Sequence, residues 1–360
     1  MAAIAQDFTA FCIWLGATGS LGPRCEVVGV KQPKTGFSAD TLMFEIATDA
    51  GPADIVLRIE RIGRHMFLDS SMERQVRMMD LLLQAGVPVP TVLGWSTDLS
   101  IVGAPFLVMR ACAGVSLPQH PSYHVAGPLI ELVPSQRAHA WNDALSVMAR
   151  INRIDWRTEG RFLMEPAYGA PGLDHYLGWV SAWRTMVCPA GHPVVDAGIA
   201  YLHDNQPRGA PAELLWGDSN PGNFLFGPDG AVTAALDFEA ASIGPAEIDL
   251  GWWFVLDCML AAGNPLPKGM PDRAQQIAHF ERELGRPVAD LQYYEVLAAL
   301  RMALVMARTG GLLIQSGALA ADNLVGLYNP AATMLADMLG LAHDDRVDHY
   351  FAMVQTMNAR

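Results

Sequence analysis

The feature that most constrains this chain is the segment Leu214 to Trp253, LLWGDSNPGNFLFGPDGAVTAALDFEAASIGPAEIDLGWW. Its front part, around Asp218 and Asn223, is too rich in Gly, Pro, Ser and Asn to form a regular helix or strand. Behind it, FLFGPDGAVTAALDF reads as two short apolar strands joined by a Gly-Pro-Asp-Gly turn. Such a hairpin returns Asp237 to the neighbourhood of Asn223. Side chains carried on a loop and hairpin of this kind can converge.

Asn223 and Asp237 offer hard oxygen ligands, and Mg2+ takes one or two protein carboxylates together with substrate phosphates. Asp218, five residues before Asn223, is then left for other work. In kinase catalytic loops a base Asp precedes the metal-binding Asn by the same five positions. Asp, Asn, Gly and Pro are also ordinary turn formers. It is their combination at these spacings that points to a phosphoryl-transfer site.

Composition narrows the alternatives. A chain of 360 residues with 51% hydrophobic content can bury two cores and is too apolar to be disordered. Its net charge of −13, with no run of basic residues, argues against a nucleic-acid surface. Five widely spaced cysteines without a CxxC pair read as reduced thiols. The N-terminus lacks a basic leader, and the apolar stretch LGWWFVLDCMLAA is short and broken by Asp257. A cytoplasmic protein that neither enters a membrane nor binds nucleic acid is expected.

In chain order, residues 4–15 show the spacing of an amphipathic helix, ended by Gly16 and Gly19. CEVVGV and TLMFEIAT read as strands joined by KQPKTGFSAD, whose Gly36 and Ser38 could cover phosphates through backbone N–H groups. A third strand, ADIVLRIER, carries Arg58 inside an apolar run, and a buried cation needs an anionic partner. Glu73, in the helix SSMERQVRMMDLLLQAG, is a candidate for that partner. Ser70 and Glu73 also have the spacing of a capping box, and the two roles are compatible. VPVPTVLGW, SIVGAP and FLVMR supply further strand material. From residue 115 onward the pattern is mostly helical, clearest in SQRAHAWNDALSVMARINRIDW and in three or four segments after residue 272. Asp249 reads as a possible N-cap of the helix that follows it.

WGDSNPGNFLF followed by LDFEAASIGPAEIDLGWW resembles the catalytic segment of the aminoglycoside phosphotransferase-like kinases. The wording is most similar to the kinase domain found in acyl-CoA dehydrogenase family members 10 and 11. Trp216 stands where that family usually has His. The resemblance implies an α+β, two-lobed protein-kinase-like fold, with a β-rich nucleotide lobe over residues 1–110 and a helical lobe over 111–360 carrying the catalytic loop. It implies ATP and Mg2+ as cofactors, Asp218 as catalytic base, and Asn223 and Asp237 as metal ligands. Arg58 would meet the non-transferred phosphates with Glu73 as its partner, and Gly36 and Ser38 would belong to the nucleotide loop. Val108, Met109 and Arg110 would face adenine, and Asp249 would brace the catalytic loop. The implied reaction is transfer of the γ-phosphoryl group to a small-molecule hydroxyl, on a hydroxyacyl-CoA or hydroxy acid or on an aminoglycoside-like polyol. A nucleotide-binding pseudokinase or interaction module is the alternative from another class.

Overall fold

Alternating side chains build the first sheet. The computed structural model describes residues 8–31, 39–324 and 326–342. Strands β1 (Cys25–Lys31), β2 (Ala39–Thr48), β3 (Gly51–Glu60), β4 (Val92–Ser96) and β5 (Phe106–Arg110) form an antiparallel sheet in the order β1-β2-β3-β5-β4. Leu42, Phe44 and Ile46 of β2 and Ile55, Leu57 and Ile59 of β3 recur at every second position in one buried cluster. Helix α1 (Thr9–Thr18) supplies Phe11 and Leu15 to that cluster. Phe11 stacks on Phe44 at 5.5 Å between centroids, and Trp14 meets Phe106 edge-on at 4.7 Å. The alternation that buries Leu57 and Ile59 turns Arg58 to the opposite face. Helix α2 (Met72–Gln84) lies beside β4 and β5, and Leu99–Val102 forms a short helix, α3, rather than strand.

Two compact units divide the chain. One comprises Met1–Leu117 with Gly222–Ala240, and the other Pro118–Pro221 with Ala241–Arg360. The first unit therefore includes the predicted hairpin. In it β6 (Val115–Ser116), β8 (Phe224–Phe226) and β9 (Val232–Ala235) pair antiparallel, with Phe224 opposite Ala235. Helix α1 differs from expectation in that Gly16 lies within it, and Gly19 closes it in the left-handed conformation at φ 74°. Gly36 and Ser38 lie outside the described residues.

The second unit is mainly helical. It holds α4 (Pro128–Glu131), α5 (Pro134–Asn152), α6 (Leu173–Val187), α7 (Pro193–Asp204), α8 (Glu247–Ala261), α9 (Arg273–Leu284), α10 (Leu291–Gln315) and α11 (Pro330–Met338). A two-stranded ribbon pairs β7 (Glu213–Leu215) with β10 (Ser242–Gly244). Every residue from Glu247 to Leu256 is buried, so α8 is the central helix, with α10 as a principal neighbour. Gly251 permits their close approach, because a Cβ there would stand 2.8 Å from the carbonyl of Tyr294. By length and composition α10 could cross a membrane, yet half of its most apolar window is buried inside this unit. The Leu and Ala stripe that makes it apolar is thus used as core.

Candidate active site

The hairpin of the first unit meets the expectation drawn from its turn residues. Leu236 N–H donates to the Asn223 carbonyl at 2.9 Å, which ties the residue before Asp237 to the proposed ligand. Ala235 N–H donates to the Pro88 carbonyl at 2.7 Å and anchors the returning strand. The strand ends at Ala235, and Asp237 takes the left-handed conformation at φ 62°. Asp tolerates that region better than most residues because its short polar side chain can satisfy neighbouring backbone, but the conformation remains unfavourable. Glu239 therefore does not follow from strand alternation.

Arg58 reaches Asp237, not Glu73. Its Nη1 and Nη2 donate to Asp237 Oδ1 at 3.4 and 3.3 Å. Burial disfavours its charge, but the carboxylates of Asp237 and Glu239 more than compensate and hold the guanidinium above the ordinary arginine value. Glu73 is exposed, because α2 begins one residue later than a capping box from Ser70 requires. The N-cap is Ser71, whose Oγ accepts from Arg74 N–H at 3.1 Å, and Glu73 occupies the second helical position. Neither expected partner of Glu73 is realised.

The adenine expectation falls on β5. β5 is an inner strand, so Val108 pairs with Leu57 and Gly94, and Met109 with Val56 and Val92. Arg110 N–H donates to the Thr91 carbonyl and Ala111 N–H to that of Asp54. These donors belong to the sheet and its margins.

In the second unit one carboxylate organises the loop before β8. Asp249 is fully buried at the third position of α8, whose N-cap is Ala246, so it does not cap its own helix. Its Oδ2 accepts from Trp216 N–H at 2.9 Å and Asn152 Nδ2 at 2.8 Å, and its Oδ1 accepts from Gly217 N–H at 2.9 Å. Burial raises its pKa, opposed by those three donors and by the charge of Arg301. Ser219 Oγ returns a bond to the Asp249 carbonyl at 2.8 Å. Gly217 lies at φ 86°, a left-handed turn that suits glycine. Asp249 thus serves as the brace that the resemblance implied.

Trp216 causes no conflict with this arrangement. Its side chain is fully buried, and the group that engages Asp249 is its backbone N–H, which any residue except proline provides. Asp218, two residues on, is half-buried. Its Oδ1 accepts from Trp252 Nε1 at 2.8 Å and from Asn220 Nδ2 at 3.0 Å.

Sequence reasoning passed over three of these groups. Asn152 reads only as the end of a long helix, and Trp252 as core. Arg301 carried a usable signal, since it interrupts the apolar run YYEVLAALRMALVMAR as Arg58 interrupts its strand. Its side chain is 1% exposed, its Nη2 donates to the Gly217 carbonyl at 2.7 Å, and its Cζ stands 4.3 Å from the Trp252 ring centroid.

A Mg2+ ion suits the residues of the first unit. Among the described residues no cluster of three or more His, Cys, Asp or Glu could hold a metal. Asn223 and Asp237 give instead one amide and one carboxylate, the sparse oxygen set that Mg2+ completes with water and phosphate. Asp237 already attracts a cationic side chain, which marks its carboxylate as a seat for positive charge.

Comparisons with known proteins bear on the family and the fold. The sequence profile described as the phosphotransferase enzyme family matches residues 29–297. Acyl-CoA dehydrogenase family member 10 of Mus musculus is 30% identical over 223 residues, 61% of this chain. That match spans 20% of the mouse protein's own length. A Ralstonia eutropha structure, provisionally assigned as an aminoglycoside phosphotransferase, superposes with a TM-score of 0.66 at 22% identity over 92% of this chain and 96% of its own. An aminoglycoside phosphotransferase in ternary complex with ADP and hygromycin B gives 0.52 at 16% identity over 92% and 98%. At these identities the two structures establish the kinase-like fold.

Proposed function

The chain belongs to the phosphotransferase enzyme family, and from that premise we propose that it transfers the γ-phosphoryl group of ATP to a hydroxyl of a small molecule. The observation that carries this reading is the separation of two carboxylates into different environments. Asp218 is held by neutral N–H donors, as suits a group that must accept a proton. Asp237 sits against a cation, as suits a group that holds a metal.

In this reading Asp218 orients the acceptor hydroxyl and takes its proton as the oxygen attacks phosphorus. Asn223 and Asp237 hold Mg2+, which when bound neutralises phosphate charge. Arg58 turns from Asp237 to the non-transferred phosphates, a planar cation suited to phosphate oxygens. Asp249 keeps the loop bearing Asp218 in shape through two backbone N–H groups.

For the acceptor, similarity to an acyl-CoA dehydrogenase family member favours a hydroxyacyl-CoA or hydroxy acid. A polyol of the aminoglycoside kind is the second reading, favoured by the net charge of −13, which attracts a polycation, and by the hygromycin B complex of a structural neighbour. A panel of hydroxyacyl-CoAs, hydroxy acids and aminoglycosides with Mg-ATP, scored for ADP release, decides between them. Asp218→Ala is expected to abolish release while ATP still raises the melting temperature. No rise with any nucleotide overturns the whole reading.

A further inference from the structure

Helix α8 holds the loop that carries Asp218 through two of its residues. Asp249 and Trp252 are three apart on α8, hence on one face. Asp249 accepts the N–H groups of Trp216 and Gly217, and Ser219 donates to its carbonyl. Trp252 instead donates its indole N–H to the Asp218 carboxylate at 2.8 Å, from a side chain that is 3% exposed. The backbone brace would hold the loop without this bond. An indole N–H has no other polar use, since it is a donor only.

The indole is itself clamped. Arg301 lies over its ring at 4.3 Å, and the same guanidinium donates to the Gly217 carbonyl. A cation on the ring face is attracted by its π electrons. It also draws density away from the N–H, which makes that group a stronger donor. Asn220 Nδ2 reaches the same Oδ1 at 3.0 Å. One carboxylate oxygen of Asp218 is thus occupied by two donors, and the plane of the carboxylate is fixed.

We propose that Trp252 is a positioning residue for Asp218: with Asn220 it engages Oδ1 and sets how the carboxylate faces the acceptor hydroxyl. This rests on the phosphotransferase reading above. The bond acts on the ionised form of Asp218, because a donor to a carboxylate favours its charge. Losing the donor makes the carboxylate both less well aimed and harder to ionise.

Trp252→Phe keeps an aromatic ring beneath Arg301 and removes only the N–H. With Mg-ATP and the acceptor found by the panel, or with water as acceptor, kcat is expected to fall about tenfold while the KM for ATP stays within about twofold. The acid limb of the kcat/KM profile is expected to move to higher pH by about one unit. A variant with the kcat and acid limb of the parent overturns the proposal while leaving the phosphotransferase reading intact. A parent protein that releases no ADP and binds no nucleotide sinks that reading instead. Should the variant fold poorly, the parent supplies a second test. The indole 1H–15N signal lost in Trp252→Phe is expected to shift in Asp218→Asn, and a signal indifferent to that change overturns the proposal.

Discussion

Each compact unit holds an arginine near a carboxylate, Arg58 half-buried and Arg301 buried, and the two arrangements differ. Arg58 donates to Asp237 Oδ1 at 3.3 Å, with 29% of the Asp237 side chain exposed and the backbone in a left-handed turn. Arg301 and Asp249 are closed off from solvent, and three donors converge on the carboxylate at 2.8 to 2.9 Å. A long contact beside solvent can be exchanged for another cation at small cost. A carboxylate meeting three fixed donors cannot be moved without leaving each of them unsatisfied. The first arrangement suits a seat that ligands enter and leave, and the second a frame.

The largest effect should therefore come from breaking the frame. Asp249→Ala strips an acceptor from Asn152, Trp216 and Gly217 and leaves the Arg301 charge uncompensated. A loss of about 3–5 kcal/mol is expected, the range for removing one partner of a buried charged pair. It is read as a large fall in the thermal midpoint, and a midpoint near that of the parent would erase the contrast. Asp237→Asn is the matching change at the seat. Asn tolerates the left-handed turn and a half-exposed contact contributes little, so stability should change by less than about 1 kcal/mol. Phosphoryl transfer should nevertheless fall by about a hundredfold or more, because the one carboxylate of the Mg2+ set is gone. A variant equally folded and equally active would remove Asp237 from the site.

The contrast was only partly visible in the sequence. The hairpin was legible because Gly-Pro-Asp-Gly fixes a local turn, and local chemistry is what a sequence states directly. The proposed Asp218, Asn223 and Asp237 set was drawn from the same kind of signal, spacings within one short span. Glu73 was misread because a shift of one residue in the helix start, to an Ser71 N-cap, turned it outward. Sequence does not say which backbone groups a sheet consumes, and the N–H groups of Arg110 and Ala111, beside the expected adenine position, go to Thr91 and Asp54. Asn152, Trp252 and Arg301 escaped notice because their partners lie between 34 and 97 positions away. Only a lone Arg in an apolar helix could have prompted the search.

The smallest predicted effect tests whether Asp249 is held as an anion. Asn152→Ala removes one of its three donors, so at neutral pH a loss of about 1–2 kcal/mol is expected. That donor favours the ionised carboxylate, whereas burial favours the neutral one and sets the folded pKa above the unfolded value. The sign of the pH dependence follows. Stability conferred by Asn152 on the anion is present above the raised folded pKa and declines as pH falls through it. Below the unfolded value, about 3.9, Asp249 is protonated in both states and the charge-dependent part is gone. The gap in thermal midpoint between parent and variant should therefore narrow as pH falls through the raised folded pKa. A gap that stays constant, or widens in acid, would mean that Asp249 is neutral throughout, and the frame would then rest on geometry rather than on charge.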